Sequence, residues 1–293
     1  MNSKIRGKRV AIIGGDRRQQ VVINQLVQMG VIIHVVGLPV DLHQQVREYT
    51  TIHEAIQGVD AILLPMPGVN DDGKVHAPFS KATLLLTPEL VQKIPVSTPI
   101  FVGVAKPYLK QSLVNHRLLE IAEMDDVAIP NSIPSAEGAI QIAMEQLPIT
   151  IHGSQAYVLG FGRVGVTLAR MLAGIGAQVV VVARKSKDLA RIEEIGYQPV
   201  QFSELTEQVA KADIIFNTVP EMVLDSQVLQ MVRRETLIVD LASTPGGTDF
   251  KAAANLGINA ILAPGLPGKV APLSAGLILA QVIPKLLEQE LGL

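Results

Sequence analysis

The chain has 293 residues, of which 48% are hydrophobic, 18% charged and 3% aromatic, and its formal net charge is −2 at pH 7. This length allows two domains of ordinary size, and the hydrophobic content argues against disorder. The weak negative charge argues against nucleic acid as a partner. Since the chain contains no cysteine, disulfides, cysteine nucleophiles and cysteine–zinc sites are excluded, and we expect no metal centre.

The first third of the chain alternates apolar strands with helical segments. Strands are predicted at residues 8–13, 31–36, 61–64, 100–104 and 127–129, and a helix follows Gly14-Gly15. Strands that alternate with helices imply right-handed crossovers and a parallel sheet. We therefore expect a small doubly wound α/β domain in this region.

The apolar periodicity stops between Pro65 and Thr87, where turn-forming residues dominate. This long segment follows the third predicted strand, and ligands bind outside the carboxyl ends of strands in such sheets. A loop of this length is more often functional than idle. The alternative is a hairpin or surface excursion without a ligand.

The segment from Asn131 to about Leu147 is predicted to be a helix, capped by Ser132 or Ser135. The sequence then predicts a second set of strands at 156–159, 179–182, 198–201, 214–217, 237–240 and 260–262. This number of strands matches a full dinucleotide-binding sheet.

The predicted domains follow from these elements. We expect a substrate-side domain over residues 1–133, an interdomain helix over 134–148 and a dinucleotide-binding domain over 149–271. The apolar terminal helix, 272–293, is predicted to return to the first domain, and the alternative is that it packs on the second. The fold class is thus two doubly wound parallel-sheet domains, the second a Rossmann domain, with a cleft between them.

A glycine motif opens the second domain. Gly160, Gly162 and Gly165 follow an apolar strand and begin a helix, in the spacing GxGxxG. Gly160 permits the tight turn, Gly162 lets backbone N–H groups approach a pyrophosphate, and Gly165 allows close packing of helix and strand. The helix N-terminus favours the bound anion.

A basic cluster follows the next strand, where Arg184, Lys185 and Ser186 stand. NAD sites usually carry an acidic residue here, which accepts a hydrogen bond from the ribose 2′-hydroxyl. A cation suits the 2′-phosphate of NADP instead. The sequence therefore predicts NADP(H) as the cofactor.

Two loops after later strands are expected to border the nicotinamide. They carry short polar residues and turn formers, although the first could be an ordinary strand-ending turn. The predicted cofactor contacts outside the basic cluster are Gly160, Phe161, Gly162, Arg163, Val164, Gly165, Asn217, Thr218, Val219, Pro220, Ala242 and Ser243.

Candidate acid–base groups lie early in the chain, because all six histidines occur at or before His152. A late histidine, as in D-specific 2-hydroxyacid dehydrogenases, is missing. We predict His76, Asp16 and Ser132 as catalytic residues.

Cations and a hydroxyl near strand and helix ends would hold a carboxylated substrate. The predicted set is Arg17, Arg18, Ser135 and Lys269, with Lys106 nearby.

Several segments together resemble the A-subunit family of dipicolinate synthase. They are residues 14–19, 131–134 with Glu137-Gly138, 152–154, 160–165, 240–250 and 263–268. The resemblance covers nearly the whole chain. It implies that the protein oxidises dihydrodipicolinate to dipicolinate in the mother cell of a sporulating bacterium. It also implies a partner, the flavoprotein-like B-subunit of dipicolinate synthase.

The chemistry of this reaction agrees with the residues present. Removing a hydride and a proton from a dianion gives an aromatic pyridine, so positioning and charge matching can supply most of the catalysis. Two alternatives stay open. The chain is an NADP(H)-binding scaffold whose partner performs the redox step, or it is another NADP-dependent dehydrogenase of a small carboxylate.

We also expect a cytoplasmic homo-oligomer that does not bind membranes. The N-terminal apolar run is too short for a signal peptide, and the apolar stretch from Ile258 to Ile283 is interrupted by prolines and Lys269.

Overall fold

A computed structural model describes residues 3–41 and 43–293. The chain divides into two compact units. The first unit comprises the chain up to Pro130 together with Ala271–Leu293, and the second comprises Asn131–Val270. The boundary near Pro130 falls inside a long helix.

The first unit is built on a parallel sheet that, over the described residues, has six strands in the order β3-β2-β1-β4-β5-β6. The strands are β1 (Arg9–Ile13), β2 (Ile32–Val36), β3 (Val46–Tyr49), β4 (Ala61–Leu63), β5 (Ile100–Val102) and β6 (Leu118–Glu120). The helices up to the unit boundary are α1 (Arg17–Gln28), α2 (Ile52–Ala55), α3 (Pro88–Val91), α4 (Pro107–Ser112) and α5 (Asp125–Gln146), of which α5 continues into the second unit.

The fifth strand predicted for this unit is wrong. Residues 127–129 lie in α5, which begins at Asp125. The sheet instead ends in β6, and it also contains β3, which the sequence did not indicate. Both are short edge strands whose residues are half-buried or exposed, so they lack the apolar run that marks a buried strand.

The helix start predicted near Asn131 is also wrong. Ser132 and Ser135 lie inside α5 and do not cap it. The Ser135 hydroxyl donates to the carbonyl oxygen of Asn131, one turn earlier, as serines inside helices often do.

The last helix, α12 (Pro272–Glu290), packs against α1. Its residues Leu279, Ile283 and Leu287 join the core cluster that contains Val22 and Leu26 of α1. Gly276 permits this close approach, because a Cβ atom there would lie 2.8 Å from the side chain of Val21. The end of the chain therefore completes the core of the first unit.

The second unit contains another parallel sheet, with the order β12-β11-β10-β7-β8-β9. The strands are β7 (Gln155–Leu159), β8 (Gln178–Ala183), β9 (Gln198–Gln201), β10 (Ile214–Asn217), β11 (Leu237–Asp240) and β12 (Asn259–Leu262). The helices are α6 (Arg163–Ile175), α7 (Ser186–Ile195), α8 (Leu205–Gln208), α9 (Ser226–Leu229), α10 (Phe250–Leu256) and α11 (Leu266–Val270). Every strand predicted for this domain is present, and the predicted class of two parallel-sheet α/β domains is confirmed.

The core of the second unit lies on both faces of its sheet. The strands carry buried valine, isoleucine and leucine, and residues such as Val158 and Val181 face one helical layer while Tyr157 and Val180 face the other. Within residues 3–41 and 43–293, no helix combines the length and the apolar character that a membrane crossing requires.

Candidate functional site

The second sheet reverses its strand order between β7 and β10. From β7 the chain moves outward to β8 and β9, and it then returns to the other side of β7 at β10. In open parallel sheets the crevice at such a reversal is where ligands bind. The glycine motif follows β7, and residues 217–220 end and follow β10. The glycine turn and the loop after β10 therefore both border this crevice.

The glycine turn has the geometry that the sequence predicted. Gly160 has φ +97°, in the left-handed region, and a Cβ atom there would lie 2.6 Å from Oγ1 of Thr218. A Cβ atom on Gly165 would collide with the carbonyl oxygen of Gly160. These two glycines are therefore required by the internal packing of the turn.

Gly162 has a different environment. It is the N-cap residue of α6, and, its two chain neighbours aside, no atom of the described residues lies within 4 Å of a Cβ atom built on it. A side chain there would thus point away from the protein, into the space beside the helix N-terminus. The first N–H groups of a helix attract a phosphate, so the turn fits the pyrophosphate of a dinucleotide.

The neighbouring motif residues occupy the same turn. Arg163 is the first residue of α6 and is exposed, and Val164 follows it half-buried. Phe161 is half-buried and packs against the core of the second unit. Its ring therefore fixes the turn against the sheet.

A buried carboxylate ties the two later loops together. Asp240, at the end of β11, is fully buried, and its Oδ2 accepts hydrogen bonds from Asn217 Nδ2 at 3.0 Å, Gly247 N at 2.9 Å and Thr248 Oγ1 at 2.6 Å. Its Oδ1 accepts from Ala242 N at 3.0 Å. Asp240 is not among the residues predicted for the site. The signal available was an acidic residue at the end of an apolar strand.

The same network defines the loop after β10. Asn217 is fully buried, its amide donates to the carbonyl oxygen of Val219 at 2.9 Å, and its Oδ1 accepts from Val219 N at 3.0 Å. The Thr218 hydroxyl donates to the carbonyl oxygen of Leu159. These side chains therefore hold the loop in shape, while Pro220 is exposed.

The loop after β11 also contains one buried and one exposed residue among those predicted to contact the cofactor. Ala242 is buried, and Ser243 is exposed beside it. The exposed serine is therefore the member of this predicted pair whose side chain faces solvent.

The basic cluster lies at the carboxyl end of β8. Arg184 follows the strand, Lys185 is the N-cap residue of α7 and Ser186 is its first residue, and all are exposed. Arg184 forms an ion pair with Glu221, with 3.1 Å between Nη1 and Oε2. Sequence reasoning did not identify Glu221, which is distant from Arg184 in the chain and approaches it through the sheet order.

The first sheet has an equivalent reversal between β1 and β4. Gly14 to Arg18 follow β1, and the irregular segment from Pro65 to Thr87 follows β4. The N–H of Gly15 donates to the carbonyl oxygen of His76 at 2.8 Å. The structure thus brings the predicted residues Asp16, Arg18 and His76 to one region of the first unit.

Asp16 and Arg18 form a local pair at the start of α1. The carboxylate of Asp16 accepts from Arg18 Nε at 2.9 Å and from Nη2 at 2.7 Å, and Asp16 also caps the helix. Arg18 is buried. Burial acts to raise the pKa of Asp16, but the hydrogen bonds and charge of Arg18 outweigh it, so this pKa lies below its ordinary value.

His76 is electrostatically coupled to this pair. Its side chain is exposed, yet the atoms around the ring partly desolvate it, and this lowers the pKa of His76 despite the opposing charge of Asp16. The charges of Arg18 and Lys106 lower it further. The neutral imidazole, which can accept a proton, is therefore the favoured form near pH 7.

The remaining predicted residues have separate environments. Arg17 is exposed and lines a groove of about 540 Å³ with Pro39 and Leu273. Lys269 is exposed on α11 of the second unit. Ser132 is fully buried, and its hydroxyl lies 2.6 Å from that of Thr167.

Comparison with known proteins agrees with this architecture. Residues 9–124 match the family described as the N-terminal domain of the dipicolinate synthase A-subunit. Residues 135–244 match the NAD binding domain of D-isomer specific 2-hydroxyacid dehydrogenases. The second match covers the glycine turn, Arg184 and Asp240.

Full-length similarity extends over both units. The chain is 44% identical over 287 residues to the dipicolinate synthase A-subunit of Bacillus subtilis (strain 168), covering 97% of each chain. A crystal structure of the dipicolinate synthase A-subunit from Bacillus halodurans has a TM-score of 0.92 at 43% identity, over 97% of this chain and 98% of that one. The A chain of dipicolinate synthase from Bacillus subtilis has a TM-score of 0.91 at 42% identity, over 99% of both chains. The chain therefore belongs to the A-subunit family of dipicolinate synthase, and most of its second unit is similar to the NAD binding domain of dehydrogenases.

Proposed function

We propose that this protein oxidises dihydrodipicolinate to dipicolinate with NADP⁺ as the hydride acceptor. The observation that carries the proposal is the glycine turn at the strand reversal of the second sheet, where Gly162 leaves the N-terminus of α6 open to a phosphate. A bound nicotinamide would accept the hydride. The reaction would take place in the mother cell of a sporulating bacterium, as the resemblance implies.

The proposed coenzyme contacts come from the glycine turn and from the ends of the strands on either side of β7. The N–H groups at the start of α6 would hold the pyrophosphate. Arg184 and Lys185, exposed beyond β8, would hold the 2′-phosphate. The loop shaped by Asn217 and Asp240 would border the nicotinamide.

The substrate carries two carboxylates, and exposed cations are the groups suited to them. Arg17 and Lys269 are exposed, so we assign them this role. Arg18 is already paired with Asp16. We therefore assign it to holding Asp16 in place rather than to a substrate carboxylate.

The proton released on aromatisation needs an acceptor. We assign it to His76, whose lowered pKa keeps the ring neutral and whose side chain is exposed. Asp16 is the second candidate, as a carboxylate that is ionised under the influence of Arg18. Ser132 receives less support, because it is buried and bonded to Thr167.

The test mixes the purified chain, NADP⁺ and freshly generated dihydrodipicolinate and follows the absorbance of the reduced coenzyme. We expect His76→Asn to lower kcat by about 100-fold, the lower end of general base effects, since aromatisation already favours the product. His53→Asn, which changes an exposed histidine of the same unit, is the matched control. Equal rates for the two variants would contradict the assignment of His76.

The same assay separates the proposal from a scaffold function. We propose that the chain assembles with the flavoprotein-like B-subunit of dipicolinate synthase and with copies of itself. Activity of the isolated chain with NADP⁺ supports the enzyme. Activity that requires the partner and persists without NADP(H) would contradict the enzyme function and support a coenzyme-binding scaffold instead.

A further inference from the structure

The Arg184–Glu221 ion pair spans the carboxyl end of β7. Arg184 follows β8 and Glu221 lies beyond β10, and these two strands flank β7 in the sheet. The pair joins Nη1 to Oε2 at 3.1 Å, with side chains that are 67% and 66% exposed. An acidic group therefore stands beside the cation assigned to the ribose.

We propose that Glu221 sets the balance between the two nicotinamide coenzymes by weakening the preference for NADP(H). This inference rests on the proposed placement of the ribose 2′-position at Arg184. The carboxylate engages a guanidinium N–H that a 2′-phosphate would use, and it places a like charge beside that phosphate. The 2′-hydroxyl of NAD(H), a neutral donor, can instead donate to the carboxylate.

The effect is expected to be moderate, because exposed ion pairs are screened by water and salt. Arg184 and Lys185 remain cationic when Glu221 is neutralised, so the attraction for a phosphate stays. Removing the carboxylate also frees Arg184 from its partner. The loss of the like charge and the release of Arg184 both favour tighter binding of the phosphorylated coenzyme.

The experiment measures the dissociation constants of NADPH and NADH for the full chain, from the fluorescence of the reduced coenzyme. We expect Glu221→Gln to tighten NADPH binding by about threefold to fivefold and to weaken NADH binding, the range that an exposed pair supports. The change for NADPH shrinks as the salt concentration rises. Glu194→Gln is the matched control, since Glu194 pairs with Arg191 at 2.8 Å and is 64% exposed.

A third variant separates this inference from the proposed function. Arg184→Gln must lower the NADPH to NADH affinity ratio if Arg184 faces the 2′-phosphate. An unchanged ratio in Arg184→Gln would overturn the placement of the 2′-phosphate at Arg184, on which this inference rests. A lowered ratio in Arg184→Gln together with an unchanged ratio in Glu221→Gln would overturn the role of Glu221 and leave the site intact.

Discussion

The side-chain amide of Asn217 donates a hydrogen bond of 3.0 Å to the carboxylate of Asp240, and both side chains are fully buried. The two residues end neighbouring strands, β10 and β11, where they are register partners. A buried carboxylate without donors costs several kcal/mol, so this one is stabilised by its bonds to the two loops. The loop conformations and the charge therefore depend on each other.

Replacing Asp240 by alanine should destabilise the second unit by about 3 kcal/mol, because the amide of Asn217, the N–H of Gly247 and the hydroxyl of Thr248 lose their acceptor. Urea unfolding followed by circular dichroism measures the change. Asp249→Ala serves as the control, since it removes a helix cap worth about 1 kcal/mol. Equal costs for the two variants would show that the buried network contributes no more than a cap.

Two substitutions in the glycine motif should differ strongly in their effect on stability. Gly165→Val should unfold the second unit or strongly destabilise it, because any Cβ atom there collides with Gly160. Gly162→Val should leave the midpoint of thermal unfolding nearly unchanged, since its Cβ meets no described atom beyond its chain neighbours within 4 Å. It should nevertheless abolish coenzyme binding, as measured by fluorescence titration. If the Gly162→Val protein still binds NADPH, the pyrophosphate does not bind at this turn.

Acid should destabilise the first unit partly through His34. This side chain is buried on β2; desolvation lowers its pKa below the ordinary 6.5, although its hydrogen bond to the carbonyl oxygen of Ala55 opposes the shift. The unfolded chain binds the proton more readily than the folded chain, so this contribution to stability is complete above about pH 6.5 and is lost as the pH falls through the lowered pKa.

His34→Phe should therefore flatten the decrease in unfolding free energy between pH 7 and pH 5, measured by urea titration. The same comparison at pH 8 isolates the effect of the substitution on packing with Tyr49, whose ring lies 4.9 Å from that of His34. A variant with the slope of the natural protein would show that His34 is not the titrating group.

The terminal helix offers a matched pair of core and surface substitutions. Ile283→Ala should destabilise the first unit by about 3 kcal/mol, because Ile283 is 1% exposed within the core shared with α1. Leu277→Ala, on the same helix, should change the free energy of unfolding by less than about 0.5 kcal/mol, since Leu277 is 51% exposed. Thermal or urea unfolding measures both. Similar losses for both variants would place α12 outside that core.

Strand prediction succeeded where the strands are buried on both faces. The run from Val179 to Val182 is typical of a central parallel strand, and the structure places it in β8. It failed at the edges of the first sheet, because β3 contains Arg47 and Glu48, whose charges give no apolar signal. The residues Val127 to Ile129 gave the opposite error, a strand predicted where there is none. A short apolar run before a proline resembles a strand, but this run lies in α5.

The candidate site was predictable to the extent that its residues are adjacent in sequence. The positions of the glycines and of Arg184 follow from the spacing of one strand–turn–helix unit and the next strand. The partnerships of Arg184 with Glu221 and of Ser132 with Thr167 depend instead on which elements become neighbours in space. No local pattern encodes such contacts, so they required the structure.

The first unit is interrupted in sequence, and this affects the order in which the protein can fold during synthesis. Residues Asn131–Val270 are contiguous, so a ribosome delivers everything their sheet needs in one uninterrupted stretch. The apolar side of α1 must await Ala271–Leu293, which is translated after the second unit. Domains generally fold as units as they emerge. The unit that begins earlier in the chain is thus completed after the unit that follows it, and a nascent chain stalled before residue 271 would present the uncovered surface of α1 to chaperones.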